Sequence, residues 1–561
     1  MLGRIAVLPV PMGWIAVQSE AESAYSAGIS STRTKWRSYG CMLQCTVKVL
    51  DTEGNIRDYV SPIELVLVVD CSTNLPLRKK EIWRWMKSMV KTLLLLALAT
   101  ATPVLTHAQI SNFQHIIIID QENRSPDNLF QGLCGPTRRE CPSPYNLQNY
   151  GINNKGRKVQ LVQVPLGSLN DPDHTHHGFM AMCDLDTTTN QCKMDGLSSG
   201  NCGQGRCSFE YVNPADVAPY ITMAQEYGWA NFMFQTNQGP SPPAHAIIFG
   251  GTAAPSASDD SNAIFVAEWQ HVEGCLTPLN AVYKIISPQT APLESDLINN
   301  PLGTVCFTTD TMATLLDKHD PQLSWKYYTP GANSIWTGPN WIRDLCQPNS
   351  NYTKCTGEEW KNNVDVLPKD VLTDIGACNL RNVVWVIPAG QNSDHPGKTS
   401  GNTGGPSWVS SIVNKIGQSP CTDTVNDKTL TYWQDTAIFI TWDDWGGWYD
   451  YEPPTLLSVP QQGQGDYQYG FRVPLVVVSA YTPRKYIDNL RYDFGSILRF
   501  IEHNFGIPEG ALNFADRRAA NDLTSFFNLN MSPRTFNVIP APLGEKFFLN
   551  DKRPMEPPDT E

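Results

Sequence analysis

Short apolar runs, each bounded by turn-forming residues, recur along the chain and alternate with segments of helical period. His115–Asp120 (HIIIID), Asn382–Ile387 (NVVWVI), Ala437–Trp442 (AIFITW) and Leu475–Ser479 (LVVVS) are rich in β-branched side chains and predict strands. Runs that are apolar on both faces suit a parallel sheet covered by helices. Asp493–Asn504 puts Ile497, Phe500 and Ile501 on one helical face, with Asp493 as N-cap and Gly506 just beyond the end. Asp216–Tyr227 predicts a second helix. The stretches 134–215 and 251–380 are rich in Gly, Pro, Asn and Cys and read as elaborated loops, not as separate domains. The pattern therefore predicts one α/β domain over 109–550: a central, mostly parallel sheet flanked by helices, with long loop insertions and a short tail, 551–561.

One apolar run differs from the strands. In 86–108 (MKSMVKTLLLLALATATPVLTHA), Lys87 and Lys91 precede an apolar stretch from Thr92 to Leu105, and small residues follow. This is the layout of an export signal: a basic start, a short apolar middle and a small-residue cleavage site. The apolar stretch is short for a membrane span, which needs about 20 residues. The expectation is a signal peptide over 86–108, with 1–85 an upstream extension outside the mature fold and no transmembrane anchor in the mature chain. The protein would be secreted or periplasmic.

Cysteines and charge agree with that division. Three of the 15 cysteines lie before Ala108 and 12 after it, an even number that suits disulfides in an exported chain. Close pairs such as Cys134/Cys141, Cys183/Cys192, Cys202/Cys207 and Cys346/Cys355 fit bridges across local loops. The net charge of −13 is uneven, with +4 on residues 1–108 and −17 on the remainder. An acidic body argues against a nucleic-acid partner. It does not exclude a phosphate substrate, because a bound cation reverses the local field.

In open α/β sheets, ligands bind beyond the carboxyl ends of the strands. Beyond HIIIID stand Glu122 and Asn123; beyond AIFITW stand Asp443 and Asp444; beyond NVVWVI stand Asp394 and His395. Clustered carboxylates repel unless a cation or proton intervenes. These Asp, Glu and Asn oxygens suit a divalent ion such as Ca²⁺, Mg²⁺, Mn²⁺ or Zn²⁺. Ser241, in Gln238–His245 (QGPSPPAH), is the best nucleophile. The prolines after it suit the first turn of a helix, whose N-terminal N–H groups favour an anion.

Together these segments resemble the bacterial phosphoesterase family of phospholipases C and acid phosphatases. Glu122–Asp127 (ENRSPD) resembles its ENRSFD signature, Lys193–Gly196 its KMDGF segment, Trp442–Asp450 its WDDxGGxYDH segment and Gly470–Pro474 its GxRVP segment. Tyr492–Phe505 is similar to its YDHTSILKFIE helix, and the matches run in family order from about 113 to 530. The resemblance implies an alkaline-phosphatase-like fold and a Ser or Thr nucleophile that also touches the metal. Carried over by motif, Glu122, Asn123, Ser241, Asp443 and Asp444 would bind the metal, and Ser241 would attack phosphorus. His174 would contact the phosphate or leaving group, and His395 would be the general acid. The substrate would be a phosphate ester, with a phospholipid head group among the choices. Departures are Pro126 for Phe, Tyr451 for His, and Ala244-His245 for Asn-Arg after the serine. His176 and His177 read as solvated loop histidines. The alternative reading is an exported carbohydrate- or ligand-binding protein using the 16 Trp residues as platforms.

Overall fold

The computed structural model describes residues 113–555 except 135–140, 142–143, 187, 190, 199–207, 270–273, 278–282, 288–294, 298–305, 398–401, 426–427, 455 and 458–466, together with five strands between residues 5 and 72. The chain divides into two compact units, Met1–Ala108 and Gln109–Glu561. In the first, Ile5–Pro9, Ile15–Ser19, Arg33–Ser38, Cys41–Leu50 and Leu65–Ser72 form an antiparallel sheet. The stretch 86–108 lies outside the described residues. Among those described, no helix is long and apolar enough to cross a membrane.

The second unit is built on an eight-stranded sheet. Its strands in chain order are β1 His115–Gln121, β2 Gly228–Phe234, β3 Trp325–Tyr328, β4 Val364–Asp365, β5 Val383–Val386, β6 Thr436–Trp442, β7 Leu475–Val478 and β8 Tyr486–Asp493. Their spatial order is β4-β3-β5-β1-β6-β7-β2-β8. All run parallel except β7, which is antiparallel to both β6 and β2. The continuous apolar runs sit at the centre, where every residue of β1, β5, β6 and β7 is buried. Each fully buried Ile or Val there is worth about 1.5–3 kcal/mol.

Helices cover both faces. On β6, Phe439 meets Phe500 of helix Phe494–Phe505, while Trp442 meets Tyr220 of helix Ala218–Glu226. Positions 439 and 442 point to opposite sides of the strand by alternation, so the two helices lie on opposite faces. Helix Phe494–Phe505 starts as its sequence predicts: Asp493 accepts from Ser496 N, and Gly506 closes the other end at φ 72°.

Two expectations need correction. The stretch 251–380 is not only loop, since it supplies β3 and β4 and so extends the sheet on one side. Leu475–Val478, apolar on both faces like its neighbours, runs against them. Among the described residues no helix crosses over between β6 and β7, and an antiparallel neighbour needs none. Disulfides join Cys134–Cys141, Cys183–Cys192 and Cys346–Cys355, as their spacing predicts, and also Cys275–Cys306 and Cys378–Cys421. Cys202 and Cys207 lie outside the described residues.

Candidate active site

The sheet delivers its chemistry at one rim. The strands β1 and β6 are paired from His115↔Thr436 to Gln121↔Trp442, so the residues that follow them emerge side by side. The two emerging loops are locked together. Asp443 N donates to Gln121 O at 3.0 Å, Asn123 N donates to Asp443 Oδ1 at 2.9 Å, and Arg124 N donates to Asp444 O at 3.0 Å. Asn123 adopts a left-handed backbone, φ 61°, and so does Gly446, φ 65°. A Cβ on Gly446 would fall 2.1 Å from Asn123 O, so this close approach requires glycine.

Ser241 reaches the same place from β2. It is the first residue of helix Ser241–Gly250, with Pro242 and Pro243 in the first turn. Its Oγ donates to Asp444 Oδ2 at 3.1 Å, and Asp444 Oδ1 accepts from Gly446 N at 2.6 Å. One helical turn further, His245 enters the cluster. Its Nδ1 lies 3.2 Å from Asp120 Oδ2, and its Nε2 lies 3.3 Å from Glu122 Oε1 and 3.7 Å from Asp443 Oδ2. Asp120 and His245 were not among the residues expected to form the site. Two signals point to them: the lone carboxylate closing the apolar run of β1, and the i, i+4 spacing of His245 from Ser241.

Asp120, Glu122, Asn123, Ser241, His245, Asp443 and Asp444 are all fully buried. Burial, then the charges of Asp443 and Asp120, hold the Glu122 carboxyl well above its ordinary range. Burial also pushes Asp120 up to about 7, with His245 opposing it. Burial alone would lower His245, but its pairing with Asp120 and the charges of Asp443 and Asp444 bring it out raised. Neither oxygen of Glu122, nor Asp443 Oδ2, takes part in a hydrogen bond among the described residues. Glu122, His245 and Asp443 offer ligand atoms within 4.8 Å of one another. Buried, like-charged oxygens of this kind are stabilised by a divalent cation, so the residues present fit a metal.

His174 and His395 stand beside this centre with their rings 6.2 Å apart. Asn123 Nδ2 donates to His174 Nε2 at 2.9 Å, so His174 carries its proton on Nδ1 and donates it to Pro172 O at 2.8 Å. His395 Nδ1 donates to Pro396 O at 3.0 Å, a carbonyl oxygen that only accepts. The loop carrying His395 is braced by Arg124, which donates to Asp394 O at 2.9 and 2.6 Å. Tyr220 and Trp442 donate to the Asp394 carboxylate.

Other motif residues turn out to be structural. Arg472 lies between Asp450 and Asp127, donates to Asp450 at 2.8 and 2.9 Å, and donates to Asn146 O and Asn231 O. Tyr451 packs its ring 5.3 Å from that guanidinium. Met194, of the KMDG segment, packs with Trp445 and Phe471. His176 is buried, not solvated, and stacks on Phe179.

Comparison with known proteins identifies a family. The profile of the Phosphoesterase family matches residues 113–508. Non-hemolytic phospholipase C of Pseudomonas aeruginosa is 24% identical over 472 residues, covering 77% of this chain and 60% of that protein. Phospholipase C B of Mycobacterium tuberculosis is 23% identical over 465 residues, 76% and 79% of the two chains. Non-hemolytic phospholipase C of Burkholderia pseudomallei is 28% identical over 473 residues, 78% and 62%. The chain thus spans about three fifths of the length of the Pseudomonas protein.

Proposed function

The chain belongs to the phosphoesterase family, and from that premise we propose that it hydrolyses phosphate esters with Ser241 as nucleophile and a divalent cation held by Glu122, Asn123, Ser241, Asp443 and Asp444. The observation that carries this reading is the buried Ser241 hydroxyl, placed at a helix start and bonded to Asp444 beside oxygens that need a cation. An alkaline-phosphatase-like fold is part of the same reading, as is export, which the five disulfides among the described residues favour. The names of the relatives point to the phosphodiester of a phospholipid head group as substrate.

The reaction has two displacements at phosphorus. Ser241 Oγ forms a bond to phosphorus while its proton passes to Asp444 Oδ2, and the bond to the leaving alkoxide breaks. His395 Nε2 supplies the proton that the leaving oxygen takes up. Water then attacks the phosphoserine and gives a proton back to His395 Nε2, while the bond from phosphorus to Ser241 Oγ breaks and Oγ recovers its proton from Asp444. Pro242 and Pro243 carry no N–H, so the first turn of helix Ser241–Gly250 offers the developing charge only the N–H groups of Ser241 and Ala244, and His174 orients the phosphate through its bond to Asn123. When bound, the cation supplies charge neutralisation for the phosphoryl oxygens and lowers the basicity of the serine.

The carbohydrate-binding alternative is not favoured, because nine of the 16 Trp side chains are fully buried and offer no platform. The decisive experiment compares p-nitrophenyl phosphorylcholine with p-nitrophenyl phosphate as substrates, for wild type and Ser241→Ala. We expect the diester to be preferred and the variant to lose at least ~10³-fold in kcat. Full activity in Ser241→Ala would refute the mechanism.

A further inference from the structure

The catalytic rim lies where β1 and β6 end. Where the same two strands begin, a second group of side chains converges. His115 opens β1, Asp435 immediately precedes β6, and Asp423 lies on the hairpin formed by Thr422–Val425 and Lys428–Thr431. Their ligand atoms, one ring nitrogen and two carboxylate oxygens, all lie within 4.8 Å of one another. From His115 to Glu122 the chain runs the length of the strand, ~23 Å at ~3.3 Å per residue, so this group is remote from Ser241.

The hydrogen-bond roles are restrictive. His115 Nδ1 lies 2.8 Å from Arg381 O, an oxygen that only accepts, so Nδ1 carries a hydrogen. Nε2 then faces Asp423 Oδ2 at 2.9 Å. A neutral ring in this position would turn its lone pair on a carboxylate. Asp435 is fully buried, its carboxylate is part of the same group, and neither of its oxygens accepts a hydrogen bond among the described residues. Burial, partly offset by His115 and reinforced by Asp423, pushes its carboxyl up to about 7. Two carboxylates therefore converge on one imidazole, and of the three side chains Asp423 is the one that is partly exposed, at 36%.

The same orientation is the one that metal-binding histidines adopt, with one ring nitrogen donating to a backbone carbonyl and the other turned to the ion. A zinc ion bonded at about 2.0–2.1 Å holds its ligands ~3.3 Å apart, within the span these three atoms cover. We propose that His115, Asp423 and Asp435 form a second divalent-cation site, separate from the catalytic centre, that takes a transition ion such as Zn²⁺. An imidazole among the ligands selects against Ca²⁺ and Mg²⁺, which take oxygen alone. The exposed flank at Asp423 gives the ion a way in and a water as fourth ligand. The site ties the hairpin to the starts of the two central strands. The disulfide Cys378–Cys421 anchors that hairpin just ahead of its first strand.

The test is zinc titration of the full chain by calorimetry after chelator treatment and dialysis, with thermal melts alongside. Asp435→Asn alters a buried position, so Asp423→Asn, on the partly exposed hairpin, is the primary variant. We expect each to bind one fewer equivalent of Zn²⁺ than wild type and to lose part of the zinc-induced rise in Tm. Glu122→Gln should keep that equivalent while its catalytic-centre binding weakens. If Asp423→Asn binds zinc with wild-type stoichiometry and an affinity within threefold, the proposal is overturned. It is equally overturned if Glu122→Gln combined with Asp443→Asn abolishes all zinc binding. In either case the three side chains share a proton instead.

Discussion

Replacing Arg472 by Met tests whether the arginine of the Gly470–Pro474 segment is a structural clamp. Its guanidinium is fully buried, pairs with both oxygens of Asp450, and approaches Asp127 at 3.8 Å. Met has similar bulk and no charge, so the variant leaves the Asp450 carboxylate buried without its cation and strands the carbonyls of Asn146 and Asn231. Breaking a buried pair in this way costs about 3–5 kcal/mol. A folding unit of ~450 residues has an unfolding entropy near ~1 kcal/mol/K, so the expected loss is about 3–5 °C in Tm. The assay is thermal unfolding followed by circular dichroism for wild type, Arg472→Met, Asp450→Asn and the double variant. Asp450→Asn should recover much of the loss in the Arg472→Met background, because the charge left alone is then removed. The reasoning fails if Arg472→Met melts within 1 °C of wild type. A variant of wild-type stability that is catalytically dead would place Arg472 on the substrate instead.

Three further outcomes follow from the geometry. Gly446→Ala forces a Cβ against Asn123 O and should lower kcat/KM by ~10²-fold, whereas Gly544→Ala, with nothing within 4 Å, should leave it unchanged. Burial and the neighbouring Asp516 push Glu502 up to about 8. The folded state therefore holds a proton that the unfolded chain has released, and stability should fall as pH rises from about 4.5 to about 8; Glu502→Gln should flatten that decline in Tm-versus-pH curves. Replacing both Cys378 and Cys421 by Ser opens a 43-residue separation and should cost about 4 kcal/mol, read as a lower denaturant midpoint under non-reducing conditions.

The centre of the sheet was legible because its strands are buried on both faces and so carry unbroken apolar runs. Its flanks were not. In β2, Asn231 interrupts the run, and it is buried only because it bonds Pro144 O, Asn489 and Trp229. In β8, an edge strand, exposed and buried positions mix and no apolar run forms. The direction of β7 is invisible in LVVV, which reads the same either way. At the site, Glu122, Asn123, Asp443 and Asp444 followed from one rule about strand ends, and the structure brings them together with Ser241. His245 first showed only as a departure from a family motif. Its partner Asp120 lies 125 positions earlier in the chain, a pairing that neither local spacing nor period reveals. Arg124 and Arg472 lie within the motifs, and the sequence does not show where their charge is spent: their hydrogen bonds go to Asp394 O and to Asp450.

The bond between Asn123 N and Asp443 Oδ1 spans 320 residues. Closing so long a loop costs about 5 kcal/mol of chain entropy, which local structure cannot offset. During synthesis at ~5–20 residues per second, Glu122 waits roughly 16–64 s for Asp443 to be made. Every proposed ligand on one side of the centre is thus translated long before those on the other. Activity is in consequence a reporter of late folding: a nascent or truncated chain that stops short of β6 holds Ser241 and His174 and has no centre in which to use them.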